Sequence, residues 1–174
     1  ETVYGGKTHV PRQIDIKSNG WNYFCSDQRK NLTDSCVEFL NQPHDKPFFL
    51  FVSLINPHDI CYMAINHILS ENPRGPEPFK QLERNVLTHK ELSAIGKPSR
   101  PPLPDNFAVP AKEPEAVTTK YLKARSFRLR ARQELGEEMW RVHRWMYARL
   151  TERVDKQIGS VIHALRQSEY ADNT

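Results

Sequence analysis

Hydrophobic residues predict strands in the first third of the chain. Residues 47–55 are short, continuously apolar and rich in aromatic side chains, which is typical of a strand buried on both faces in a parallel sheet covered by helices. Residues 1–8 predict a second strand, which runs into a glycine pair. Between these strands, residues 31–41 predict a short helix that Thr33 or Asp34 would cap.

The last third of the chain is predicted to be helical. From residue 137 to 167, apolar side chains recur at the spacing of an amphipathic helix that packs against a sheet. Residues 116–135 are rich in helix formers and predict another helix. Together with the two strands, these helices predict an α/β fold in which a mostly parallel sheet is flanked by helices.

Two segments lack a regular pattern. Residues 11–30 are expected to be irregular. Residues 70–115 carry nine of the thirteen prolines, so a helix is expected there only at 79–94. A long proline-rich segment in a compact domain either carries function or wraps the surface.

Composition narrows the class of protein. The 174 residues include 38% hydrophobic and 26% charged residues, enough for a domain with a core, and no apolar run is long enough for a transmembrane helix. The net charge of +4 suits an enzyme of anionic substrates as well as a nucleic-acid-binding protein. Because the basic run at 120–132 is followed at once by Glu134, Glu137 and Glu138, we interpret it as a solvated helix face and expect no nucleic-acid partner.

Common catalytic signatures are missing from the 174 residues. There is no phosphate-binding loop, no GxGxxG, no HExxH and no GxSxG. Cys25, Cys36 and Cys61 do not have the spacing of a zinc site, and the carboxylates show no paired-metal pattern. Candidate chemistry therefore rests on cationic and histidine side chains near the predicted strand ends.

Three residues occupy such positions. Lys7 and His9 follow the glycine pair, and in an extended segment side chains two residues apart project from the same face. His58 follows the carboxyl end of the apolar strand, where ligand-contacting residues of open α/β sheets lie. The alternatives are a solvated loop for Lys7 and His9 and a structural role for His58.

Four motifs follow one another in a defined order. They are Gly6-Lys7-Thr8-His9, the segment Lys46–Asp59 with its Asn-Pro-His-Asp ending, Pro101–Phe107, and Tyr147–Gly159 with the terminal Asp-Asn-Thr. The set resembles the type I sulfatases of the alkaline phosphatase superfamily. These enzymes carry a G-K-x-H segment, a PFFLYxSxxxPH strand, a PPLPxNF loop and a YxxxxxxVDxxIGxxLxxL helix that leads into DNTxVxFTSDHG. The resemblance covers almost the whole chain.

The resemblance implies a fold and three site residues. Residues 1–174 would be the central portion of a catalytic domain with an alkaline-phosphatase-like, mostly parallel sheet. Lys7 corresponds to the lysine that contacts the sulfate and the nucleophile. His9 corresponds to the histidine that hydrogen-bonds the formylglycine hydrate. His58 corresponds to the histidine near the bridging oxygen, which assists the leaving group or binds sulfate.

The chain also departs from the family pattern. The nucleophile of these enzymes comes from a C/S-x-P-x-R sequence, and none of Cys25, Cys36 or Cys61 begins one. That motif would precede residue 1, and the DHG metal ligands would follow Thr174. We therefore expect an internal fragment that is inactive alone and holds no cofactor, while the parent enzyme uses calcium or magnesium. With neighbouring strands missing, the fragment is expected to be marginally stable or to self-associate through exposed sheet edges.

Three functional hypotheses remain open from sequence. The first is a sulfatase acting on a sulfated carbohydrate or an aryl sulfate, in the periplasm, outside the cell or in lysosomes, as the resemblance implies. The second is an enzyme of the same superfamily whose substrate is a phosphate mono- or diester. The third is a non-catalytic module that binds anions or another protein.

Overall fold

The computed structural model describes residues 1–11, 13–27, 29, 31–62 and 100–174. Their contacts divide the chain into two compact units, one formed by residues 1–57 and 151–174 and the other by residues 58–150. The helix expected at 79–94 lies outside the described residues.

A three-stranded parallel sheet forms the centre of the first unit. Its strands are β1 (Thr2–Gly6), β2 (Asn22–Cys25) and β3 (Phe49–Ser53), in the order β2-β1-β3. The predicted α/β fold and both predicted strands are confirmed. The expectation that residues 11–30 are irregular is wrong for β2, because this strand of four residues is stabilised by pairing with β1 and is too short to show a period of its own.

One face of the sheet packs against helices. Helix α1 (Leu32–Leu40) buries Leu32 and Cys36 against Cys25 of β2. Val52 of β3 and Val161, from the long C-terminal helix, pack onto the same cluster. The periodicity of the C-terminal helix is thus only partly reflected in the core, because Val161 packs on this cluster while Ile158 and Ile162 of the same helix remain 43% and 42% exposed.

The start of α1 differs from the prediction. Asn31 occupies the N-cap position, and its side chain makes no capping hydrogen bond. Thr33 and Asp34 lie within the helix, so neither is the cap. The Thr33 side chain is buried instead, and its hydroxyl has no hydrogen-bond partner among the described residues. The first helical residue, Leu32, is fully buried.

The opposite face of the sheet carries an aromatic layer. Tyr4 stacks on Phe51 with ring centroids 5.1 Å apart, and Trp21 lies 5.6 Å from Phe49. Phe49 and Phe51 remain 56% and 44% exposed, so the prediction that β3 is buried on both faces is wrong for the described structure. Side chains alternate along a strand, and the described helices of this unit pack only against the Leu50–Val52 side.

A tyrosine near the C-terminus secures the connector before β3. The Tyr170 hydroxyl accepts a hydrogen bond from the His44 backbone N–H at 2.7 Å and donates one to the Gln42 carbonyl at 2.9 Å. Its ring also packs edge-on against Phe48, with centroids 5.1 Å apart. These contacts order the polar connector that leads into β3.

In the second unit, the segment expected to form one helix at 116–135 is divided. A π-helix covers Ala116–Tyr121, and α2 begins only at Ser126 and ends at Glu134. The Leu122 N–H bonds to the Val117 carbonyl, and Arg125 is extended, which interrupts the helical path. High helix propensity therefore does not produce one continuous helix here.

Helix α3 (Glu137–Gln167) begins in the second unit and ends in the first. In the second unit, its Arg141 donates hydrogen bonds to the Arg100 and Pro101 carbonyls at 3.1 and 3.2 Å, and Arg144 donates one to the Pro102 carbonyl. The proline-rich motif at 101–107 is thus attached to the helix through its own backbone. Among the described helices, none is both apolar and long enough to cross a bilayer.

The buried Cys36 thiol is expected to resist alkylation. Burial, and secondarily the neighbouring Cys25, raise the pKa of Cys36 to about 12. At pH 8 only about one thiol in 10⁴ is then the reactive thiolate. Iodoacetamide should leave the Cys36 peptide unmodified in the native gene product and modify it after urea unfolding, as read by mass spectrometry. Equal labelling rates in the two states would contradict the burial.

Candidate active site

Lys7 leaves the sheet at the carboxyl edge that β1 and β3 share. The Lys7 backbone N–H donates a hydrogen bond to the Ser53 carbonyl at 2.8 Å, so the two strand ends lie side by side. Gly6, just before it, has φ +100°. A Cβ at Gly6 would lie 2.2 Å from the Ser53 carbonyl oxygen, which explains why glycine is needed at this position.

Two tyrosine hydroxyls bind the backbone around Lys7. Tyr23 donates a hydrogen bond to the Gly6 carbonyl at 2.8 Å, and Tyr4 donates one to the Lys7 carbonyl at 2.5 Å. Sequence reasoning missed both residues, since an aromatic residue in a strand is ordinarily interpreted as core packing. The only sequence signal is the position of Tyr4 three residues before Lys7.

The side chains of Lys7 and His9 are available to a ligand. Lys7 is half-buried and His9 is exposed, and neither side chain has a hydrogen-bond or ion-pair partner among the described residues. A half-buried ammonium group without a carboxylate partner favours binding of an anion. The structure thus places the Gly-Lys-x-His motif at a sheet edge, while the joint projection of Lys7 and His9 stays a prediction.

His58 follows the same strand end along the sequence. It begins a short 3₁₀ helix (His58–Ile60), five residues after Ser53. The neighbouring Asp59 is fully buried. Because His58 is the first residue of the second unit, its approach to Lys7 and His9 remains a prediction.

No metal site is formed by the part of the chain that the structure describes. No three histidine, cysteine or carboxylate side chains come together there as ligands. The three cysteines are free thiols. The described residues therefore do not form the oxygen-rich ligand set that calcium or magnesium needs.

Comparison with known proteins identifies the family. The sulfatase family profile matches residues 1–174. A curated relative, the Delta 4,5-hexuronate-2-O-sulfatase of Bacteroides thetaiotaomicron, is 26% identical over 141 residues, which are 81% of this chain and 25% of the relative. No solved structure matches the chain.

The described fold is consistent with the match to the sulfatase family. The chain spans about a quarter of the length of the curated relative it matches. Its parallel sheet brings the Gly-Lys-x-His segment and the end of the apolar strand to one edge, as expected for part of an alkaline-phosphatase-like fold. The chain belongs to the sulfatase family.

Proposed function

We propose that the complete gene product hydrolyses a sulfate ester of a carbohydrate, and that this chain contributes Lys7, His9 and His58 to its active site. The observation that carries the proposal is the sulfatase family match over the full 174 residues. The similarity to a relative named as a hexuronate-2-O-sulfatase favours a sulfated hexuronate over a simple aryl sulfate as substrate.

The three side chains suit sulfuryl transfer. The Lys7 ammonium would neutralise negative charge on the sulfate oxygens, which is most valuable where water is partly excluded. His9 would hydrogen-bond the nucleophile and move a proton during turnover. His58 would bind sulfate or donate a proton to the oxygen of the departing sugar.

The formylglycine nucleophile and a divalent cation belong to other segments in this proposal. The described residues form no metal-ligand group, and no cysteine in the chain begins a C/S-x-P-x-R sequence. Both components supply several kcal/mol of transition-state stabilisation. The 174-residue chain alone is therefore expected to be inactive.

An assay of the complete gene product tests this proposal. The substrates are a 2-O-sulfated Δ4,5-hexuronate disaccharide, 4-nitrophenyl sulfate and 4-nitrophenyl phosphate, each with added Ca²⁺. We expect sulfate release from the disaccharide, slower release from the aryl sulfate and least from the phosphate. Faster phosphate release would favour a phosphoesterase, and no release from any ester would favour a non-catalytic module.

The isolated 174-residue chain is the matched control. It should release no sulfate under the same conditions, because it lacks the nucleophile motif. Metal-dependent turnover by this chain would contradict the assignment of nucleophile and cation to other segments.

A further inference from the structure

We propose that Tyr4 and Tyr23 are positioning residues that hold the Gly-Lys-x-His segment in its reactive orientation. The tyrosine pair would act through backbone carbonyls and not by touching substrate. This inference rests on the proposed function, since it assigns the pair a role in the same site.

The hydrogen bonds restrain both peptide planes that flank the Lys7 Cα. The preceding plane is held on two sides, by Tyr23 at the Gly6 carbonyl and by the Ser53 carbonyl at the Lys7 N–H. The following plane is held by Tyr4 at the Lys7 carbonyl. With both planes restrained, φ and ψ of Lys7 are set, and so is the direction in which its side chain leaves the sheet edge.

The phenol rings are themselves held in place. Tyr4 and Tyr23 are cross-strand neighbours with ring centroids 5.8 Å apart. Tyr4 also stacks on Phe51 at an interplanar angle of 9° and meets Trp21 edge-on at 5.7 Å. The Tyr4 ring is therefore packed against three other rings, and the Tyr23 ring is packed against Tyr4. This packing reduces the rotamer freedom that each hydroxyl loses when it binds its carbonyl.

The hydroxyl of Tyr23 also remains a donor over a wide pH range. Burial raises its pKa above the ordinary value, and the neighbouring Tyr4 and Cys25 act in the same direction. A deprotonated phenolate could not donate to the Gly6 carbonyl, so the environment maintains the bond that the geometry shows.

Tyr→Phe substitutions in the complete gene product test the inference. Phenylalanine keeps the packed ring and removes only the hydroxyl. We expect Y4F and Y23F each to lower kcat about tenfold while KM changes less than about twofold, because small misplacement of a reacting group mainly weakens the transition state. The control is Y170F, whose hydroxyl bonds His44 and Gln42 in the same unit, and its kcat should equal that of wild type.

Hydrogen exchange separates this inference from the proposed function. In Y4F and Y23F, the Lys7 amide, which donates to the Ser53 carbonyl, should exchange faster than in wild type and Y170F, whether or not the protein hydrolyses sulfate. If the wild type is inactive and the Lys7 amide still exchanges faster in both variants, the proposed function is wrong. The inference that the two tyrosines position the backbone then stands. Unchanged exchange and unchanged kcat in both variants would overturn the inference itself.

Discussion

A Gly6→Ala substitution should destabilise the protein by about 3 kcal/mol, through strain at a positive φ and a steric clash. Gly6 has φ +100°, a conformation that alanine adopts only with strain. The new Cβ would also lie 2.2 Å from the Ser53 carbonyl oxygen and 2.6 Å from a methyl group of Leu32. Relief of these contacts requires β1 and β3 to separate where Lys7 leaves the sheet. Urea unfolding of the complete gene product measures the loss.

Gly159 provides the matched control for this substitution. It lies inside helix α3, in the same unit as Gly6, and a Cβ there meets no atom within 4 Å. A Gly159→Ala substitution should therefore stabilise the protein by about 0.5–1 kcal/mol, since alanine is the better helix former. If Gly6→Ala were as stable as wild type, the close approach of Gly6 to Ser53 would be refuted.

A Lys7→Ala substitution should lower kcat for sulfate-ester hydrolysis about 10²- to 10³-fold, the usual cost of removing one charge-stabilising donor from an active site. The side chain has no partner among the described residues, so its loss should leave the fold intact. Steady-state kinetics of the complete gene product, with circular dichroism to verify folding, measure the two effects separately.

Lys17 serves as the control for the charge itself. It is an exposed lysine in the turn before β2 and lies in the same unit. Lys17→Ala removes one positive charge from the chain and should leave kcat unchanged. An active Lys7→Ala variant, within about twofold of wild type, would show that Lys7 does not stabilise the transferring group.

Local sequence patterns were enough to predict the elements that have a distinctive run or spacing of apolar residues. The apolar run at 47–55 corresponds to β3, because a short continuous apolar segment is typical of a strand in a covered sheet. The period of residues 137–167 corresponds to α3, because burial of one helix face imposes a spacing along the chain. The glycine pair also permits a positive φ that ordinary residues avoid, and Gly6 adopts one. The proposed site residues Lys7, His9 and His58 also came from sequence, and their joint action awaits the kinetic experiments.

Other features depend on contacts between distant segments. Strand β2 has four residues and becomes a strand by pairing with β1. The exposure of Phe49 and Phe51 depends on which face of β3 the helices cover, and an apolar run looks the same in either case. The division of residues 116–135 shows equally that propensity does not decide where a helix is interrupted.

Sequence by itself therefore determined the family and the main strands and helices, and it supplied the residues proposed to bind an anion, because each depends on residue type and local spacing. Only the tertiary structure decided the strand order β2-β1-β3, the meeting of Lys7 with Ser53, and the tyrosine hydroxyls on the backbone at Lys7. In these features, residues from three different strands come together, although they lie up to about fifty positions apart in the sequence. Their positions depend on nonlocal pairing and packing, which no local pattern specifies.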